Sequence, residues 1–100
     1  MFFELINNKV VATDQAMMDQ GLASLFKADK TKSKIAWNKA ISYLFFVYDK
    51  NSQYKNVILD DRKKMVSEDI VKEADYYKKI ETHAEFSLII KKYNEIQFTH

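Results

Sequence analysis

The segment Ile35–Tyr48 constrains the fold of this chain more than any other part of the sequence. It runs for fourteen residues without a turn signal and carries two apolar stripes at helical spacing. The stripes are Trp37, Ile41, Leu44 and Tyr48, and beside them Ala36, Ala40, Tyr43 and Val47. A helix that is apolar over so much of its circumference lies buried at the centre of a domain. A β-strand is the alternative, because Ile41–Tyr48 has high β-propensity, but the length of the segment favours a helix.

Two short β-prone runs, Phe2–Ile6 and Lys9–Ala12, lie near the amino terminus. Asn7 and Asn8 separate them, and asparagine tolerates the positive φ of a two-residue hairpin turn better than most residues. The pattern predicts a β-hairpin. Two strands are barely stable alone, so the hairpin must pack on helices or on the sheet of another chain. An open strand edge also invites strand addition by a partner.

The rest of the apolar spacing is helical. Thr13 or Asp14 can cap a short helix, Gly21 is expected to break or offset it, and an apolar face follows at Leu22, Leu25 and Phe26. Asp60 or Asp61 can cap a later helix, whose stripe comprises Val66, Ile70, Ala74, Tyr77, Ile80 and Ala84. The segment Thr82–Glu85 fits a capping box, so another helix can begin there. The sequence leaves open whether residues 59–98 form one broken helix or two.

These elements predict a mainly α fold, a small helical domain of three to five helices with an N-terminal β-hairpin. The length of 100 residues allows a single domain over residues 1–100. Residues 1–12 are its hairpin arm and residues 13–100 its helical body.

Composition argues against most kinds of catalytic site. The chain has no cysteine and one glycine, so thiolate chemistry and glycine-rich phosphate loops are not expected. The two histidines, His83 and His100, do not have the spacing of zinc ligands. The most closely spaced carboxylates lie among lysines, which favours their ordinary ionised form. No serine has an evident general base in a recognisable motif. We therefore expect a protein that is not an enzyme, with no cofactor, no metal and no small-molecule substrate.

The amino-terminal residues lack the pattern of a signal peptide, and the longest apolar stretch, Ala40–Tyr48, has nine residues. A bilayer span needs about 20, so no membrane association is expected. The charge is close to balance, with 16 basic and 14 acidic residues. Arg62 is the single arginine, and because arginine supplies the planar fork of nucleic-acid readers, nucleic acid is a possible but not a favoured partner.

Three features point to binding. They are the basic run Lys27–Lys39 leading into Trp37, a surplus of aromatic residues around Tyr48 and Tyr54, and the hairpin edge. A solvated loop is the favoured explanation of the lysines, and Trp37 is best explained by the domain's own core. For Tyr48 and Tyr54, core and interface are about equally supported. The candidate partner-contact residues are Lys30, Lys32, Lys34, Trp37, Tyr48, Ser52 and Tyr54.

The order of these pieces resembles a known family. The segments that carry the resemblance are Phe3–Ile6 with Lys9–Val11, the Leu-x-x-Leu-Phe segment at 22–26, Asp29–Lys34, Ala40–Asp49, Ser52-Gln53-Tyr54, the acidic helix start with Arg62, and Tyr93–Gln97. This pattern resembles small virion structural proteins of tailed bacteriophages, including the crAss-like group infecting gut Bacteroidales. It spans roughly residues 2–70 together with Tyr93–Gln97, and it contains no catalytic signature. Gln53 stands where the resembled turn has proline, so a less rigid turn is expected.

The resemblance implies a non-enzymatic structural component of a phage virion, in the capsid or the head–tail and tail assembly. Its partners would be other virion proteins in multiple symmetric copies, and it would be located in the virion after assembly in the host cytoplasm. The alternative is a small helical nucleic-acid-associated or regulatory protein that uses the Lys27–Lys39 run. Salt dependence separates the two, because phosphate binding weakens steeply with salt.

Overall fold

A long buried helix and an amino-terminal hairpin organise the fold in the computed structural model, which describes residues 2–98. The elements in chain order are β1 (Phe3–Ile6), β2 (Lys9–Ala12), α1 (Asp14–Met17), α2 (Gln20–Ala28), α3 (Ile35–Tyr48), α4 (Leu59–Val66), a π-helical turn (Ser67–Val71), α5 (Tyr76–Ile80) and α6 (Ala84–Phe98). Helices account for 62% of the structure, which confirms the predicted fold class. The described residues form six α-helices rather than three to five, because the single helix predicted after Asp60 divides into α4 and α5.

Helix α3 forms the centre of the core. It begins and ends at the residues predicted, and the helical interpretation of this segment is confirmed. Eight of its side chains are buried, namely Trp37, Ala40, Ile41, Tyr43, Leu44, Phe45, Phe46 and Val47. It contacts β2, α4, the π-helical turn and α6, so the hairpin and the carboxyl-terminal helices both pack on it.

The hairpin packs one face on the helices. Its strands are antiparallel, with Leu5 opposite Val10 and Ile6 opposite Lys9. Asn7 and Asn8 have φ values of 53° and 64°, the left-handed geometry of a two-residue hairpin turn, which confirms the predicted turn. Phe3 is buried on the inner face, where its ring lies 5.5 Å from that of Tyr93 in α6.

Helix α2 begins at a cap that the sequence analysis did not identify. Asp19 accepts a hydrogen bond from the Leu22 amide at 3.0 Å, so Gly21 lies in the first turn of α2. The short first helix instead ends before Met18 and Asp19, and Gly21 does not break it. A Cβ at Gly21 would lie 3.1 Å from Ile89 Cγ1, a close contact. The glycine therefore allows α2 and α6 to approach each other.

Residues 59–98 form three α-helices, and neither of the two predicted arrangements occurs. Asp60 and Asp61 lie in the first turn of α4 and do not cap it, because the helix begins one residue earlier, at Leu59. After the π-helical turn, Lys72 adopts a left-handed conformation with φ 66° and ends the helical run. Thr82 Oγ1 donates to the Lys79 carbonyl at 2.8 Å, at the end of α5.

Candidate interaction surfaces

The carboxyl end of α3 is closed by groups from elsewhere in the chain. Its last four carbonyls each accept a hydrogen bond. The donors are the Asp49 amide to Phe45 (2.9 Å), Ser52 Oγ to Phe46 (2.6 Å), Arg62 Nη1 to Val47 (2.7 Å) and Gln97 Nε2 to Tyr48 (2.9 Å). Three of the four donors are side chains, from the loop after α3, from α4 and from α6. Ser52, Arg62 and Gln97 therefore join three parts of the chain at this helix end.

Ser52 and Tyr54 form a closed turn. The Ser52 side chain is 1% exposed and accepts a hydrogen bond from the Tyr54 amide at 3.1 Å. The Tyr54 ring packs edge-on against Phe46, with centroids 6.0 Å apart, and is half-buried. Ser52 thus has no surface to offer a partner, whereas Tyr54 presents one side of its ring to solvent.

Tyr48 directs its hydroxyl into the domain. Tyr48 OH donates to Glu81 Oε2 at 2.8 Å, and Tyr43 OH donates to the same oxygen. Lys63 Nζ pairs with Glu81 Oε1 at 3.0 Å. Burial, and then the hydrogen bonds to Glu81, raise the pKa of both tyrosines. This cluster ties α3, α4 and the turn after α5 together, and its central carboxylate, Glu81, carries no local sequence signal.

The basic run after α2 is built around Asp29. The Asp29 carboxylate accepts a hydrogen bond from the Trp37 amide at 3.0 Å and thereby caps the start of α3. The hydrogen bond from that amide, followed by those from Thr31, lowers the pKa of Asp29 to about 2. Lys34 Nζ donates to the carbonyls of Phe26, at 3.1 Å, and of Asp29 at the end of α2.

The lysines of this run therefore differ in role. Lys30 and Lys32 are exposed, as expected of a solvated loop. Lys34 contradicts that expectation, because its ammonium caps α2 and lies 4.3 Å from the Phe26 ring centroid. Trp37 is 5% exposed and packs edge-on against the same ring at 5.2 Å. Trp37 and Lys34 thus serve the α2–α3 connection.

Apolar side chains remain exposed on the hairpin. Leu5, Ile6 and Val11 are 48%, 51% and 37% exposed, and we call these residues the hairpin tip. Because β1 and β2 are the two strands of their sheet, the outer edge of β1 has no neighbouring strand within residues 2–98. The register directs the main-chain groups of Leu5 away from β2, towards that free edge.

A second apolar surface is concave. An open groove of about 440 Å³ lies between α3 and α5 beside the end of α2, and we call it the α3–α5 groove. Its apolar lining comprises Leu25, Ala28, Ile35, Ala36, Trp37, Ala40, Tyr76 and Ile80. Lys39 and Lys79 stand at its rim, and each lies 3.2 Å from a carboxylate oxygen of Glu73. Hydrogen bonds from Lys79 and Lys39 lower the pKa of Glu73.

The predicted contact residues do not converge on one surface. Lys30 and Lys32 are exposed on either side of Thr31, which lines the groove, but neither lines it. Tyr54 lies at the other end of α3. The groove has no local signal in the sequence, because its walls come from segments about forty residues apart in the chain.

Two kinds of feature are absent from residues 2–98. No helix of this part of the chain is long and apolar enough to cross a membrane. Within the same residues, no group of three metal-ligating side chains was found that could hold an ion. Comparison of the chain with known protein families, with curated proteins and with solved structures gave no match.

Proposed function

We propose that this protein is a non-enzymatic structural component of a phage virion that acts through protein–protein contacts. The resemblance of its sequence pattern to small virion proteins of tailed phages supports the class. Its partners are other virion proteins, present in multiple copies within a symmetric particle.

The observation that carries the proposal is the free edge of β1 beside the exposed hairpin tip. An unpaired strand edge with apolar side chains at its end is a surface to which another chain can add a strand. The proposed contact surface thus lies at the hairpin rather than at Ser52 or Trp37, which are buried, or at Lys34, which caps α2.

The test uses particles purified from the source. Mass spectrometry should detect the chain as a component that stays with the particle through washing at high salt. A copy carrying Ile6→Asp should be depleted from particles, whereas one carrying Leu88→Asp, at a more exposed apolar residue of α6, should be incorporated like the parent. Both variants should melt like the parent, since surface substitutions change stability by about 0.5 kcal/mol or less.

Absence of the chain from purified particles would contradict the proposal. So would equal incorporation of the two variants, because the hairpin tip would then make no contact that assembly needs. Release of the chain by moderate salt, together with loss of DNA binding in a variant with Lys30→Gln and Lys32→Gln, would favour the nucleic-acid alternative.

A further inference from the structure

We infer that an open groove beside Arg62 binds a small organic anion, with a phosphate or carboxylate head and a flat apolar body. The groove lies between the loop after α3, the first turn of α4 and the end of α6, and we call it the α4–α6 groove. Its volume of about 660 Å³ falls within the range of about 300–1,000 Å³ typical of small-molecule sites. No residue of the hairpin tip lines it, so this inference does not depend on the proposed function.

The α4–α6 groove has an excess of positive charge. Its charged lining residues are three cations, Lys50, Lys55 and Arg62, and one carboxylate, Asp49. The two oxygens of Asp49 are already engaged, because they accept hydrogen bonds from a backbone amide and from the Tyr93 hydroxyl. None of the three cations forms an ion pair with a carboxylate of residues 2–98. An anion that enters the groove therefore finds charge that the described part of the chain does not neutralise.

Arg62 is held in place by the chain itself. Its guanidinium donates four hydrogen bonds to backbone carbonyls, at 2.7 to 3.2 Å. Nη1 makes one of these four, so its second N–H has no acceptor among residues 2–98. Lys39 and Lys63 are also half-buried cations, but each pairs with a glutamate. Arg62 thus offers a preorganised, charged donor, and an anion that accepts from it orders little of the protein.

The remaining lining suits an apolar body. Leu59 is 41% exposed and Phe98 is 68% exposed, and Tyr48 lines the groove beside them. A flat ring that packs on Phe98 removes apolar surface from water on both partners. Asn56 and Asn94 supply amide donors and acceptors for the polar edge of such a ring. A few polar groups beside an apolar wall are the usual composition of a ligand pocket.

The charge pattern favours a compact anion over a long one. Asp60, Asp61 and Glu95 are exposed and adjoin lining residues in the chain, but they do not line the groove. The excess of positive charge is therefore local. A nucleic acid strand carries a negative charge at every phosphate and needs a longer row of cations, whereas a single phosphate or carboxylate needs only those of the groove.

The test is titration of the isotope-labelled chain at low ionic strength, followed by the NMR signals of its backbone amides. AMP, which has a phosphate head and a flat base, should shift the amides of the lining residues with a Kd of roughly 0.1–1 mM. Adenosine is the same body without the head, and inorganic phosphate is the head alone. Each of these two should bind at least about tenfold more weakly than AMP. Phenylacetate, an aromatic carboxylate, distinguishes the two kinds of head, because the tighter of phenylacetate and AMP identifies it.

Substitutions assign the binding to the groove. Lys50→Gln combined with Lys55→Gln removes the excess of positive charge and should weaken AMP binding by at least about fivefold. Lys64→Gln is the matched control, because Lys64 is an exposed lysine of α4 that does not line the groove, and it should keep the parental affinity. Phe98→Ala should weaken the binding of AMP by about threefold and leave that of inorganic phosphate unchanged.

The inference is overturned if neither AMP nor phenylacetate shifts the lining amides at roughly 10 mM. Equal affinity for adenosine and AMP would overturn it too, because the anionic head would then not be recognised. Equal losses in the double variant and in Lys64→Gln would show that binding follows overall charge rather than the groove. A single-stranded oligonucleotide that binds more tightly than AMP, and is weakened alike by every lysine substitution, would assign these cations to nucleic acid instead.

Discussion

Ser52→Ala is the sharpest test of how α3 ends. The Ser52 hydroxyl is buried, donates to the Phe46 carbonyl at 2.6 Å and accepts from the Tyr54 amide at 3.1 Å. Alanine removes both bonds without adding volume. The buried Phe46 carbonyl is then left without a donor, because the Lys50 amide that would continue the helix bonds to Gln97 Oε1 instead, at 2.7 Å.

The size of the effect follows from these contacts. An unsatisfied buried acceptor costs about 1–3 kcal/mol, and loss of a second neutral hydrogen bond costs about 1 kcal/mol. The Tyr54 amide lies near the surface and regains part of its loss from water, so we expect Ser52→Ala to lower the free energy of unfolding by about 2–3 kcal/mol. At roughly 4–8 °C per kcal/mol for a domain of this size, the Tm should fall by about 10–20 °C.

Thermal and urea unfolding followed by circular dichroism at the helix band measures this loss. Gln53→Ala is the matched control, because Gln53 is exposed in the same turn and should change stability by less than about 0.5 kcal/mol. If Ser52→Ala has the same Tm as the Gln53→Ala control, the reasoning is refuted, and the end of α3 does not depend on the Ser52 hydroxyl. If Ser52→Ala instead lost incorporation into particles without a change in Tm, Ser52 would be identified as a contact residue.

Three further predictions concern the other groups that end helices. Arg62→Lys keeps the charge but loses the fork that bonds the carbonyls of Val47, Val57 and Lys55. It should cost about 1–2 kcal/mol in urea titration, and parental stability would contradict this. The pKa of Asp29 is lowered to about 2 in the folded state, below its unfolded value near 3.9, so its stabilisation is present above about pH 4 and lost as the pH falls towards 2. Asp29→Asn should therefore flatten the decline of the urea midpoint in that interval, and an unchanged slope would show that Asp29 is not responsible. Lys34→Gln should lower stability by about 1 kcal/mol and Lys30→Gln by less than about 0.5 kcal/mol, whereas equal effects would mean that the Lys34 ammonium does not cap α2.

The local sequence pattern was sufficient to predict a helix or strand where that element's own residues decide its conformation. The bounds of α3 could be predicted because its apolar residues recur at helical spacing through Tyr48. The hairpin could be predicted because Asn7 and Asn8 accept positive φ at modest cost. The division of residues 59–98 into three α-helices could not be predicted, because nothing local indicates the left-handed conformation of Lys72 or the π-helical turn before it.

The candidate contact residues were chosen by amino-acid type, but amino-acid type did not decide whether each one is buried or exposed. Lysines 30, 32 and 34 look alike in the sequence, yet the structure leaves the first two exposed and uses Lys34 to cap α2. Ser52 and Tyr54 are two residues apart, and the first is buried while the second is half-exposed. A side chain's neighbours from other elements, rather than its own chemistry, decide whether it can meet a partner.

The sequence by itself thus determined the helical class, the central helix and the hairpin turn, since these depend on backbone preferences and on periods of two to four residues. Only the tertiary structure decided which polar groups close the helix ends and which apolar surfaces stay open. Glu81 meets Tyr43 and Tyr48 across 38 and 33 residues, and Gln97 meets Tyr48 across 49. The physical reason is that each helix leaves carbonyls or amides that its own backbone cannot satisfy, and packing alone determines which distant side chain comes within hydrogen-bond distance of them.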